Sequence, residues 1–558
     1  MTNSKSTKSD NFTKFYRKIY CPICKEYSVR VYDNDIECFN DCEITSKVDV
    51  NNFDGFFNRE EIESLFFFNE KDRLEKLIKL FRKPIIYGNI SKRDGDRLNK
   101  IFEKKNYTEI DIDDLLINYL IKEGLDELPK NPTNYGYIIN LIEDIHYFLL
   151  RACQDLSLFD IALEINKTKE DKPFYSARFF FYNAIESIWY AFERIVVYAG
   201  LKYGYGFKQK LEKNGSYEII TSLEKKLEQN DMPPIYKEID IYRKKSGNFI
   251  GEIRRNNTHN SSIHIQEINR RTSSNRNAKK LIMEKNANYF DGLYLKPKVN
   301  KTILAIEQLY CALEEIVKDF NKNCEQFDNI QIPMRDEFEK NTLFNIKINE
   351  KFDLKAIDFR KQAAFNNLIQ LSKGNEKYNA EMQMLWDIFF RLEETQKCII
   401  DVYRLEDNVF ESYWSKTIEF NIVGFIDNRL FVYAGMSRIY AALDKFSQYY
   451  ASSRGLDKKK IRYFKSLKSI DSSNSDPVLN KIHQILESDE YKGLSKFRNR
   501  IAHNLSAGVL YGDTGVKSEN AHIYYCIVKL INDCLDLLFE EAKLKLEHVY
   551  IYTVLNER

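Results

Sequence analysis

The stretch FYNAIESIWYAFERI, Phe181 to Ile195, places apolar side chains at Phe181, Ile185, Ile188, Phe192 and Ile195, in steps of four, three, four and three residues. That is the stepping of one face of an α-helix. Residues 432–446, VYAGMSRIYAALDKF, repeat it at Val432, Met436, Ile439, Leu443 and Phe446, 251 positions later. The flanks agree as well: Tyr182 matches Tyr433, Ala191 matches Ala442, and Glu193-Arg194 matches Asp444-Lys445. A long-range internal match of this kind predicts a duplicated helical unit.

A second match lies downstream. FIGEIRRNNTHNSS (249–262) and GLSKFRNRIAHNLS (493–506) each carry Arg, four residues, His and Asn, and each precedes an apolar helical run, at 303–320 and 522–542. The chain therefore reads as two copies of helix, connector, Arg-x4-His and helix.

Composition favours the same class. Only 20 Gly and 10 Pro occur in 558 residues, well under the ordinary share of about 12% for the pair, which suits long helices rather than turn-rich β structure. A hydrophobic content of 43% can bury sizeable cores. Lys and Arg number 85 against 83 Asp and Glu, which excludes a uniformly basic nucleic-acid coat and an acidic tail protein but not a local basic groove. No apolar run reaches the length of about 18 residues that a membrane helix needs, and the polar start, MTNSKSTKSDNFTKFYRK, lacks a signal-peptide core. The expectation is a cytoplasmic protein with no membrane partner. Walker A and Gly-rich phosphate loops are absent from the sequence, which argues against an ATPase, a kinase or a dinucleotide enzyme.

Near the N-terminus Cys21-Pro-Ile-Cys24 is followed after thirteen residues by Cys38-Phe-Asn-Asp-Cys42. Two Cys knuckles joined by such a loop supply the four soft ligands of a tetrahedral zinc site. The intervening residues alternate like a hairpin turning at Asp33-Asn34-Asp35. With Cys21, Cys24, Cys38 and Cys42 closing every position, Zn2+ would fold the module rather than do chemistry. His146, within an apolar helical stretch, reads as a core histidine.

The chemistry open to the Arg-x4-His pairs is phosphate chemistry. RNA is cut without metal when a base takes the 2′-OH proton, an acid protonates the leaving oxygen and a cation steadies the phosphate. Histidine titrates near neutrality, and arginine grips phosphate with a permanent charge. Five helical residues turn about 140°, so Arg498 and His503 converge only if their helix ends or bends between them, or if two copies share a cleft.

The run Phe-Arg-Asn-Arg-Ile-Ala-His-Asn at 497–504 resembles the signature of the HEPN superfamily. The resemblance spans about 280 residues in two blocks. It implies a mainly α protein in which two HEPN-like helical bundles form an intramolecular pseudo-dimer, and a metal-independent endoribonuclease acting on single-stranded or looped RNA. It assigns Arg498, Asn499 and His503 to phosphate binding, positioning and proton transfer in the second copy, with Arg254 and His259 as counterparts in the first. The first copy departs from the pattern, having Arg255 where Asn499 stands and Asn256 one residue later. Antiphage defence or a toxin role, with tRNA or phage transcripts as RNA partners, a regulatory protein or phage trigger, and room for a homo-oligomer, follow from the same resemblance. A non-catalytic RNA- or nucleotide-binding module and a partner-sensing scaffold remain open alternatives.

Cationic segments adjoin both motifs. Arg270 and Arg271 open one run, and Lys458, Lys459 and Lys460 lie in another spanning Arg454 to Lys468, with Tyr463 and Phe464 interleaved. Cations on phosphates and aromatics on bases are what an RNA track needs. The expected organisation is a zinc ribbon-like module at 1–50, a helical region at 51–170, bundles at 171–325 and 426–558, and a mixed connecting region at 326–425 with short strands at FNIKI and IEFNIV.

Overall fold

The structure is a computed structural model describing residues 19–20, 27–32, 35–38, 90–103, 132–165, 176–203, 233–258, 292, 294–323, 354–373, 379–409, 428–457, 460–461, 463–470, 476–503 and 516–556. It is mainly α. The described strands, Ile19–Tyr20 (β1), Tyr27–Tyr32 (β2) and Asp35–Cys38 (β3), form one antiparallel sheet in the order β1-β2-β3. Val29 faces Cys38 and Tyr32 faces Asp35, so the expected hairpin is present and Asp35 belongs to its strand rather than its turn. The segments FNIKI and IEFNIV lie outside the described residues.

Twelve α-helices among the described residues fall into two sets of six. The first is Lys92–Glu103 (α1), Pro132–Ile165 (α2), Ala177–Lys202 (α3), Pro234–Tyr242 (α4), Asn248–Thr258 (α5) and Val299–Asn323 (α6). The second is Leu354–Lys373 (α7), Asn379–Val409 (α8), Asn428–Ser453 (α9), Pro477–Glu487 (α10), Asp489–His503 (α11) and Val516–Asn556 (α12). The main pairings recur from one set to the other. The most extensive are α2 along α3 and α8 along α9, and α6 and α12 each pack on all five other helices of their set. The helices at 132–165 and 379–409 thus pack as integral parts of the bundles they precede.

Equivalent side chains make equivalent bonds. Arg194 on α3 meets Asp144 on α2 at 2.5 Å, and Lys445 on α9 meets Asp387 on α8 at 2.7 Å, both pairs buried. The Tyr198 hydroxyl donates to Asp319 on α6 at 2.9 Å, and the Tyr449 hydroxyl to Glu541 on α12 at 2.9 Å. A helix that is buried all round must satisfy its polar groups inside the fold. Residues 177–201 of α3 are buried without exception, and these pairs satisfy two of its buried polar side chains, Arg194 and Tyr198.

The sets are joined reciprocally: α5 packs on α9, and α11 packs on α3. Phe148 of α2 stacks on Tyr433 of α9 with centroids 6.4 Å apart, while Arg391 of α8 lies 5.3 Å over Tyr182 of α3. Arg438 of α9 donates to the Phe179 carbonyl of α3 at 3.0 Å. Glu394 of α8 gathers Arg178, Arg391 and Arg438 at 4.0, 3.3 and 3.4 Å. Among the described residues, no helix is long and apolar enough to cross a membrane.

The sets differ where their motif helices begin. In the second, Asp476 caps α10 by accepting from Val478 N at 2.8 Å, and the chain breaks at Ser488, whose hydroxyl oxygen accepts from Tyr491 N. In the first, α4 runs into α5 through a π-helical turn, Arg243–Gly247.

Candidate functional site

The motif arginines occupy matching places. Arg254 on α5 lies 4.8 Å over the ring of Trp189, and Arg498 on α11 lies 5.0 Å over the ring of Tyr440. Trp189 and Tyr440 are themselves 251 positions apart, the spacing of the quoted repeat. Aromatic shelves of this kind hold a guanidinium through the negative face of the ring while leaving its N–H edge free to bond.

Tyr190 ties the two places together. Burial pushes its hydroxyl pKa up to about 12, with Glu186 adding to the rise and Arg254, Arg498 and Arg194 opposing it. Both motif guanidiniums, one from each set, therefore act electrostatically on one buried phenol of α3. The packing of α11 on α3 accounts for this, since it carries Arg498 to the helix that also bears Trp189 and Glu186.

The surroundings of the two cations differ. Arg254 Nε donates to Glu186 Oε2 at 3.0 Å, and Glu186 is buried. Burial lowers the Arg254 pKa, but Glu186, Tyr190 and Glu193 outweigh it, and the net shift is upward. Arg498 is half-buried, and among the described residues no carboxylate pairs with it. The shelf beneath it is fixed by the Tyr440 hydroxyl, which donates to the Tyr491 carbonyl at 2.8 Å. Burial, reinforced by Tyr491, raises the pKa of that hydroxyl well above the ordinary value, against an opposing pull from Arg498.

Arg255 and Asn499 stand at matching positions and are both exposed, and Asn256 is half-buried. Asn257 is buried and accepts a hydrogen bond from Arg391 of α8, which anchors the end of α5 to the other set. His503 is the last residue of α11, which runs unbroken from Asp489. On that continuous helix Arg498 and His503 are about 140° apart in direction and about 7.5 Å apart along the axis. The His503 side chain and all of His259 lie outside the described residues, as do Cys21, Cys24, Cys42, Arg270, Arg271, Lys458 and Lys459. The backbone of Cys38 ends β3.

The second cationic run is partly structural. Arg454 is committed to Glu541 at 2.7 Å and to Asp476 at 3.2 Å, and Lys468 pairs with Glu487 at 2.6 Å. Lys460 is exposed, its amide bonded back to the Asp457 carbonyl, and Tyr463 presents its ring to solvent with Lys465 5.9 Å from the centroid. His146 is a core residue, edge-on to Tyr310.

Glu186, Trp189, Tyr190, Tyr440, Asn257 and Arg391 were not apparent from the Arg-x4-His spacing. The signal for the aromatic shelves was nevertheless in the opening stretch, because aligning the two repeats sets Trp189 on Tyr440. No protein-family model matches the chain, and no curated protein or solved structure is significantly similar to it.

Proposed function

We propose that this chain is a metal-independent endoribonuclease in which two HEPN-like bundles form an intramolecular pseudo-dimer and cut single-stranded or looped RNA at a composite Arg/His site. The observation that carries this reading is the packing of both motif helices, one from each set, on α3, with Arg254 4.8 Å over Trp189 and Arg498 5.0 Å over the matching Tyr440. Two guanidiniums on aromatic shelves suit a phosphodiester with a base stacked beside it.

In this reading one of His259 and His503 takes the proton from a ribose 2′-OH, and the 2′-oxygen attacks the adjacent phosphorus. The bond to the 5′-oxygen breaks, and the other histidine supplies that oxygen with a proton. The products are a 2′,3′-cyclic phosphate and a 5′-hydroxyl. Arg254 and Arg498 hold the phosphate while its charge redistributes. Zn2+ on Cys21, Cys24, Cys38 and Cys42 serves folding of the N-terminal module and takes no part in cleavage. A cytoplasmic setting in antiphage defence or as a toxin, with tRNA or phage transcripts as substrate, completes the proposal.

The unbroken course of α11 between Arg498 and His503 favours a second reading, in which the same cleft holds RNA without cutting it. One experiment separates them: incubation of varied RNAs in EDTA with the wild-type chain, His259→Ala and His503→Ala. The nuclease reading expects cleavage with cyclic-phosphate ends by the wild type and a loss of at least about a hundredfold in each variant. Binding without cleavage by all three chains would leave the second reading standing.

A further inference from the structure

The two motif arginines are equivalent in fold and unequal in charge environment. Arg254 faces Glu186 at 3.0 Å and also feels Glu193. The repeat places Ser437 where Glu186 stands, three residues before the aromatic shelf in each case. Ser437 is buried and carries no charge, and Asp444, the counterpart of Glu193, has an oxygen engaged by the Phe464 amide at 2.8 Å. Arg498 thus rests on its shelf with no carboxylate partner among the described residues.

We propose that the composite site is asymmetric by construction: Arg498 is the cation that takes the RNA phosphate, and Glu186 is a positioning residue that holds Arg254 back until RNA competes for it. The proposal rests on the reading of the arginine pair as an RNA site and assigns its two halves different tasks. Coulomb's law gives the reason. An incoming phosphate meets, at Arg498, a guanidinium that no carboxylate of the described residues pairs with, while at Arg254 it must displace a carboxylate already in contact within a partly desolvated setting. The contact is a single N–H to one oxygen rather than a bidentate fork. The other oxygen, Glu186 Oε1, is buried without a hydrogen-bond partner, which leaves the carboxylate under-satisfied and the pair weaker than a buried salt bridge can be. The Glu186 contact is therefore one that an incoming phosphate can displace.

The test measures binding of a fluorescently labelled 2′-O-methylated oligouridine, which lacks the attacking hydroxyl and cannot be cut, by anisotropy at fixed ionic strength. Arg498→Gln is expected to weaken binding by about tenfold or more, and Arg254→Gln by several-fold less. Glu186→Gln, close to isosteric and so tolerated in the core, is expected to tighten binding and to enlarge the loss caused by Arg254→Gln when the two are combined. A merely structural role for Glu186 would not produce that coupling. Ser437→Glu, which supplies the second arginine with a carboxylate, is expected to weaken binding as Arg498→Gln does. Equal losses at the two arginines, no coupling between Glu186→Gln and Arg254→Gln, or no binding by the wild type would each overturn the proposal. Unmodified RNA assayed in parallel separates the two ideas. The expected binding pattern without cleavage leaves the asymmetry standing and the nuclease reading fallen. Cleavage with symmetric losses does the reverse.

Discussion

Asp387→Asn should destabilise the second helix set by about 3–5 kcal/mol at neutral pH, the range for removing one partner of a buried ion pair. Asp387 accepts from Lys445 at 2.7 Å and lies 3.7 Å from Arg391 Nε, and all three side chains are buried. Burial already lowers the Lys445 pKa from 10.5 to about 8 in spite of Asp387, which works to raise it. That gap corresponds to about 3 kcal/mol held against the charged form. The folded-state pKa lies below the unfolded one, so between about pH 8 and 10.5 the unfolded chain binds a proton that the native chain does not. Stability therefore rises with pH across that window. Without Asp387 the native-state pKa falls further and the window extends below 8. The deficit against wild type, read from guanidinium unfolding by far-ultraviolet circular dichroism, should be larger near about pH 6 than near about pH 9. The matching pair provides the control. Asp144→Asn strands Arg194, and arginine cannot shed its proton, so its deficit should not shrink with pH. A pH-independent deficit for Asp387→Asn, or none at all, would refute this account.

Three further outcomes follow from the same geometry. Burial lowers the His146 pKa from 6.5 to about 3, so the unfolded chain takes up a proton that the buried ring refuses. Stability should fall as pH drops across that window, and His146→Phe should flatten the acid limb of a stability-against-pH curve; an unchanged limb would contradict it. Tyr449→Phe removes a hydrogen bond to buried Glu541, and a loss of about 1.5–3 kcal/mol is expected in chemical unfolding, against little change if the bond is inconsequential. Native mass spectrometry should find about one zinc per chain, absent from Cys24→Ser; a full complement of metal in that variant would remove the four-cysteine zinc assignment.

The helical class and the duplication were legible in residues 181–195 and 432–446, because periodicity and long-range sequence identity are local properties that survive without coordinates. The extent of the duplication was not. The partners of Arg194 and Lys445 are Asp144 and Asp387, on α2 and α8, and those helices share no obvious motif. Their equivalence appears only through the pairs they bury. The basic run from Arg454 to Lys468 shows the complementary limit: its cations look alike in sequence, but Arg454 turns inward to Glu541 and Asp476 while Lys460 is exposed.

The sequence by itself determined the class of structure, the two Arg-x4-His motifs, the cysteine knuckles and the matched shelf positions 189 and 440, since each depends on residue type and spacing along the chain. Tertiary structure decided which groups meet. The packing of α5 and of α11 on α3 brings Arg254 and Arg498 to the helix that bears Tyr190, and a single side chain, Glu186 in place of a serine, makes their electrostatics unequal. Charge interactions depend on separation and burial rather than on order along the chain, which is why that inequality became visible only when the two copies were packed together.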